Sequence, residues 1–317
     1  MGAEILAELA QVACAFDLGA VAAASPVTGG LIQSTWRLQT NRGVFIAQHL
    51  HPAFDPTVSE DAAAITTYLR RHGIPCPTYL STPQGSRHWG RWRVMSCLAG
   101  QVVNQTRDPG WIYQVAWWTG RLHRVLAGWD YRCRFQLPHF HDTPGIAQRL
   151  QGLVVPGDLR ALQDWLLETV PHYYLPGDLS LQLIHGDLKL SNFLFDDQGR
   201  VSGILDWDTC LHHSSYIDLG DGLRSWCAED FSLFAVVLAG YRAGGAPPPH
   251  PALALQAWQL LLLELAMRFL IDIVEDSYFA WDPQRYPSRV AHNRARLGRQ
   301  IEQFHRLVQE RDQLLRG

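Results

Sequence analysis

Within residues 183–209, LIHGDLKLSNFLFDDQGRVSGILDWDT, five polar side chains stand in an order and spacing suited to moving a phosphoryl group. Such a transfer asks little covalent chemistry of a protein. It needs a hydroxyl held in line with the phosphorus and positive charge set against the phosphoryl oxygens. His185, Asp187 and Asn192 fit the loop pattern H-x-D-x-x-x-x-N, in which the aspartate takes the hydroxyl proton and the asparagine offers an amide oxygen to a metal ion. Lys189 would set its ammonium against the charge that builds on the transferring group. VSGILDWD reads as a short buried strand that delivers Asp206 as the metal-binding carboxylate. Taken singly, an Asp or Asn in a loop is a turn former or a helix cap. The order of all five points to chemistry, with a strand at 194–195, a turn at Asp197, Gln198 and Gly199, and a second strand before Asp206. Trp207 reads as packing.

The HGD form of the loop, without the arginine that protein kinases carry there, resembles the aminoglycoside phosphotransferase and choline kinase superfamily. Within it the chain is most similar to the N-acetylhexosamine 1-kinase-like branch. HGDLKLSN, the element Asp206-Trp207-Asp208-Thr209, YIDLGDGLR at 216–224 and RFLIDIVEDSYF at 268–279 resemble that branch's motifs in the same order. VTGGLIQSTWRLQT, FIAQHLHPAFDP and PHFHDTP extend the likeness over roughly the whole chain. His212 and His213 depart from a Pro-Gly pair, Leu219 from a Phe and Glu275 from a Gly.

The resemblance implies an α+β, protein-kinase-like two-lobed fold, with a small β-rich N-lobe and a larger, mostly helical C-lobe. It implies ATP and Mg2+ as cofactors and a small-molecule acceptor, an N-acetylhexosamine or related sugar phosphorylated on its 1-hydroxyl. Asp208, Tyr216, Asp218, Arg268, Asp272 and Tyr278 are then the expected sugar contacts. A plainer reading stands beside this one: Glu264, Arg268 and Asp272 recur at i, i+4, i+8 and would form an internal ion-pair ladder. Tyr216, Asp218 and Arg224 would likewise fix the loop after the metal strand. The second functional reading is a kinase of an amino alcohol or aminoglycoside, of the homoserine or choline type. The third is a catalytically inactive nucleotide-binding module.

To position these residues the chain must supply two lobes. Residues 1–97 read as the N-lobe: a leading helix, strands around 32–40 and 44–49, a helix over 58–72, and strands around 78–81 and 91–97. Residues 98–101 are the expected hinge, with the backbone of Ser96, Cys97 and Leu98 offered to adenine. Residues 102–317 form the C-lobe, with helices over 111–126, 231–242, 253–276 and 289–315. GGAPPPHP at 244–251 is a linker whose prolines exclude helix. Gly29 and Gly30 stand at the tip of the first hairpin, where backbone N–H groups can approach phosphate, and Ser34 and Thr35 add hydroxyls. Two glycines in a hairpin also serve simply as a turn. On the strand where kinases place a phosphate-binding lysine stands Gln48, which cannot make the lysine-to-glutamate ion pair. Either the chain binds without catalysis, or Gln48 donates hydrogen bonds while Lys189 and magnesium carry the charge. Glu60 is a candidate partner for Gln48 or His49, or a solvated helix residue.

Composition sets the class. At 317 residues, 47% hydrophobic and 18% charged, the chain is long enough for two proper cores. A net charge of −3 gives no footprint for nucleic acid or anionic membrane. The N-terminal segment carries Glu4, Glu8 and Asp17 and lacks a basic start, against a secretory signal. Glu264, Arg268 and Asp272 interrupt the apolar run 257–273, against a membrane span. A cytoplasmic enzyme is expected, acting as a monomer with a dimer left open. The six cysteines form no C-x-x-C pair and read as reduced, mostly buried residues. His139 and His141 form an H-x-H pair, read as loop packing ahead of metal binding. Of the tryptophans, Trp111, Trp117, Trp118, Trp129, Trp226 and Trp281 among them, most are expected in the core, although any could stack on a sugar.

Overall fold

The computed structural model describes residues 3–27 and 33–316. Its first elements are helix α1 (Ala3–Ala15), strands β1 (Val21–Val27), β2 (Ser34–Thr40) and β3 (Gly43–His49), helix α2 (Val58–Arg71) and strand β4 (Trp92–Ser96). Strand β5 (Gln101–Val102), helices α3 (Pro109–Leu126), α4 (Thr143–Gln151) and α5 (Arg160–Thr169), and strands β6 (Leu181–Ile184), β7 (Phe193–Phe195), β8 (Val201–Ile204) and β9 (Leu211–Ser214) follow. Helices α6 (Ser215–Trp226), α7 (Phe234–Ala243), α8 (Pro251–Glu275) and α9 (Arg289–Leu314) complete the chain. Two compact units emerge, one of Met1–Gln101, Arg132–Leu137 and Leu194–Cys210, the other of Val102–Tyr131, Pro138–Phe193 and Leu211–Gly317.

The first unit is built on an antiparallel sheet of order β1-β2-β3-β4. Leu9, Val12, Ala13 and Phe16 recur at helical spacing on α1 and bury against Leu38, Ala47, Trp92 and Val94 of the sheet. Because side chains alternate along a strand, burying Trp92 and Val94 on that side sends Arg93 to the other face, directly across from Gln48. The strand expected around 78–81 is reduced to a single bridge between Tyr79 and Met95. Pro75 and Pro77 just before it have no N–H to give to a ladder. The segment 194–210, expected with the helical part, belongs to this unit: Ile204 N donates to Pro75 O at 2.7 Å, Ser202 Oγ donates to Ala99 O, and α2 packs on the turn Trp207–Thr209. Asp61 of α2 accepts the N–H groups of Arg134 and Phe135 and ties in 132–137.

The second unit is helical apart from the short antiparallel pair β6 and β9. Helix α8 is its axis and packs on α6, α9 and α4, while α3 packs on α7. The segment 216–224, for which no element was expected, lies within helix α6. Ser214 Oγ caps it by accepting from Tyr216 N. Gly220 is there for closeness: a Cβ on it would lie 2.7 Å from the backbone of Ala257 on α8. The proline linker ends where Pro251 opens α8. Among the described residues no helix is long and apolar enough to cross a membrane. Cys76, Cys210 and Cys227 are buried, but Cys14 is exposed. Of the six tryptophans named from the sequence, only Trp226 is fully buried.

Candidate active site

In the second unit the catalytic loop follows β6. Gly186 takes φ 86°, a left-handed turn that a side chain would strain, and so redirects the chain into Asp187. The turn is held from both sides by buried groups. Asp218 of α6, wholly buried, accepts the N–H of His185 at 2.8 Å and of Gly186 at 2.6 Å, and its Oδ2 also meets His123 Nε2 at 2.9 Å. His141 Nε2 lies 2.6 Å from Gly186 O and its Nδ1 2.8 Å from Glu264 Oε1, while Thr143 Oγ1 donates to the other oxygen of Glu264. Burial works against charge on His141, yet the Glu264 carboxylate raises its pKa. Glu264, equally buried, is held below the ordinary carboxylate range by His141. The pair is therefore a buried ion pair that donates to the loop.

Asp187 hydrogen-bonds to Lys189 Nζ. Burial would raise its pKa, but Lys189, aided by His185 and Arg224, holds it below the usual carboxylate value, so Asp187 is ionised at neutral pH. Lys189 is the only lysine in the chain. Asn192 Nδ2 donates to Asp187 O at 2.7 Å and to its carboxylate at 3.2 Å. Those bonds fix which end of the amide is which and leave Oδ1 as its acceptor end. Arg224 pairs with Asp221 at 2.6 Å.

The expected acceptor residues divide. Asp218 has both of its oxygens engaged by the loop and His123. Asp272 is likewise engaged internally. It accepts the N–H groups of Ser277, Tyr278 and Phe279 and of Asn293 Nδ2, closing the end of α8. Tyr216 sits on α6 and its hydroxyl accepts from His250 N, at the start of α8. The ion-pair ladder does not form either, since Glu264 turns to His141 and Asp272 to the backbone. Arg268 instead lies over the rings of Phe140, Tyr278 and Phe279, 5.1, 5.6 and 5.5 Å from their centroids.

In the first unit Gln48 does not stand alone. Its Nε2 donates to Thr35 Oγ1, and its Oε1 accepts from Arg93 Nε at 3.0 Å and NH2 at 2.7 Å. Arg93, fully buried, makes a two-pronged pair with Asp208, NH2 to Oδ2 at 2.7 Å, and lies 5.2 Å from the centroid of the Tyr79 ring. Gln33 Nε2 adds a third bond to Asp208. Asp208, expected as a sugar contact, is thus engaged by Arg93 and Gln33. Asp206, two residues earlier, adopts φ 64°, ψ 65°, a left-handed backbone uncommon outside glycine and concentrated at functional turns. Arg93 is the residue that spacing missed. Its signal was an arginine on the face of a strand opposite a polar glutamine. Glu60 serves neither Gln48 nor His49 and accepts Arg87 N. Ser34 is exposed across from His49. Ser96 N is bonded to Thr78 O, which removes it from the adenine donors, and Cys97 and Leu98 follow, Leu98 lying over Gly203. Gly29 and Gly30 lie outside the described residues. No group of three or more His, Cys, Asp or Glu side chains gathers as a metal centre among the described residues. A cation here would draw other ligands from phosphate and water, as magnesium-type sites do.

Comparison with known proteins gives a consistent picture. The sequence profile of the APH phosphotransferase enzyme family matches residues 23–254. A homoserine kinase of Rhodopseudomonas palustris (strain TIE-1) is 25% identical over 292 residues, spanning 85% of this chain and 84% of its own. Among solved structures, choline kinase LicA from Streptococcus pneumoniae superimposes with TM-score 0.68 at 12% identity, covering 96% of this chain and 99% of its own. The amicoumacin kinase hAmiN, solved with AMP-PNP, Ca2+ and Ami, gives TM-score 0.65 at 16% identity and covers 96% of each chain.

Proposed function

Because the chain belongs to the APH phosphotransferase enzyme family, and so is a small-molecule phosphotransferase acting on a hydroxyl, we propose that it transfers the γ-phosphoryl group of ATP to a small amino alcohol, with homoserine the first acceptor to try. The observation that carries the chemistry is Asp187, held ionised beside Lys189 and bonded to Asn192 Nδ2. The acceptor oxygen attacks the γ-phosphorus, the bond to the bridging oxygen of ADP breaks, and the hydroxyl proton passes to Asp187. Lys189 sets its charge against the transferring phosphoryl. Asn192 through Oδ1 and, by the sequence pattern, Asp206 would hold the divalent cation, which neutralises phosphate charge when bound.

Two observations move the acceptor away from a sugar. Three of the six expected sugar contacts, Asp208, Asp218 and Asp272, are spent on internal hydrogen bonds. A relative that spans most of both chains, at 25% identity, is a homoserine kinase. Gln48 does not favour the inactive reading, because the catalytic loop retains its base, its lysine and its asparagine.

The test is ADP release from Mg-ATP across L-homoserine, choline, ethanolamine, kanamycin and N-acetylhexosamines, with the product identified by phosphorus NMR. Turnover is expected on L-homoserine, as the O-phosphate ester. Turnover confined to an N-acetylhexosamine would refute the amino-alcohol reading.

A further inference from the structure

In the second unit the acidic side chains around the catalytic loop are matched. Asp187 pairs with Lys189, Asp221 with Arg224, Glu264 with His141 and Thr143, and Asp218 with His123 and two N–H groups. Asp272 is satisfied by three N–H groups and Asn293. Arg268 is the exception: among the described residues its guanidinium has no hydrogen bond and no close ion pair, only the three rings beneath it and a longer-range attraction to Glu264, whose carboxylate is already bonded to His141 and Thr143. Those rings attract the cation but accept none of its five N–H donors in the plane of the fork.

Its place ties it to the reaction. Arg268 stands one turn after Glu264 on α8, about 6 Å along the axis. Glu264 grips His141, whose other nitrogen touches the Gly186 carbonyl beside Asp187. Phe140, under the guanidinium, is the neighbour of His141 in the chain. A half-buried, planar fork aimed by aromatic faces and with no carboxylate hydrogen-bonded to it is the arrangement that receives one through two parallel hydrogen bonds. A cationic amino alcohol or a neutral sugar would leave those donors unmet and, for the cation, add repulsion.

On the kinase reading above, we propose that Arg268 is the receptor for a carboxylate on the acceptor, so that the substrate class is a hydroxy acid or hydroxy amino acid. The test uses acceptor pairs differing only in that group: L-homoserine against 3-aminopropan-1-ol, and 4-hydroxybutanoate against propan-1-ol. In the full-length wild-type enzyme kcat/KM is expected to favour the carboxylate member by about 100-fold or more, since a site built for a group rejects the analogue lacking it. Arg268→Gln should collapse that ratio toward one, chiefly by raising KM for the carboxylate member about 10- to 100-fold, and Arg268→Lys should restore part of it. A merely structural Arg268 would lower both members alike and leave the ratio intact, which would overturn the proposal. So would a wild-type preference for 3-aminopropan-1-ol, an outcome that leaves an amino-alcohol kinase standing. Turnover of sugars alone would overturn both. The wild-type ratio needs no variant, so a misfolded Arg268→Gln would not spare the proposal.

Discussion

Arg93 shows how much one side chain can settle. Removing either partner of a buried ion pair strands the other charge, at a cost of about 3–5 kcal/mol. Arg93→Met should therefore lower unfolding stability by that amount in a denaturant titration, while Arg93→Met combined with Asp208→Leu should lose clearly less. Equal losses would mean that the pair is not the reason Arg93 is buried. The buried pair of His141 and Glu264 adds a pH signature. The folded pKa of His141 lies above its ordinary 6.5, so its contribution is full below that value and is lost as pH rises through the folded pKa. Glu264 lies below its ordinary 4.5, so its contribution is present above that value and is lost as pH falls through the folded pKa. The Tm gap between the wild type and Glu264→Gln should accordingly be widest at about pH 5–6 and narrow as pH rises through the raised folded pKa of His141. A gap independent of pH would mean that His141 is neutral in the folded state.

At the scale of elements, function depends on how closely α6 approaches α8. Helix α6 carries Asp218, which holds two N–H groups of the catalytic loop, and Gly220 permits the approach. Gly220→Ala would place a methyl group 2.7 Å from the Ala257 backbone, and the resulting shift should cost about 1–3 kcal/mol and lower kcat by displacing Asp218. Unchanged Tm and kcat would show that the helices yield without consequence. This element also marks where the sequence stops being legible. The H-x-D-x-x-x-x-N loop, the metal strand and the long helices could be read because spacing and 3.6-residue periodicity are local. Helix α6 could not, since two glycines lower helix propensity and only contact with a distant helix requires them. The same limit hid Arg93, whose partner lies over a hundred residues away, and the internal partners of Asp208, Asp218 and Asp272, whose carboxylates could serve a ligand or the protein equally well on sequence grounds.

Across the whole chain the positive charge is almost entirely arginine, with Lys189 the one lysine. An amine-directed reagent therefore has only Lys189 and the chain terminus to modify. Its side chain is 27% exposed, so Lys189 should label in the free protein, and Mg-ATP should protect it if its ammonium meets the transferring phosphoryl. Labelling unaffected by saturating Mg-ATP would remove Lys189 from the phosphate site. The family match sets the reaction class, while the proposed acceptor rests on Arg268 and the side chains around it. The proposed transfer depends above all on Asp187. Single-turnover transfer from γ-labelled ATP to L-homoserine, followed by rapid quench, measures its step directly. Asp187→Asn should slow the transfer about 10²- to 10⁴-fold while still binding Mg-ATP. Transfer at the wild-type rate in that variant would contradict the assignment of Asp187 as the base.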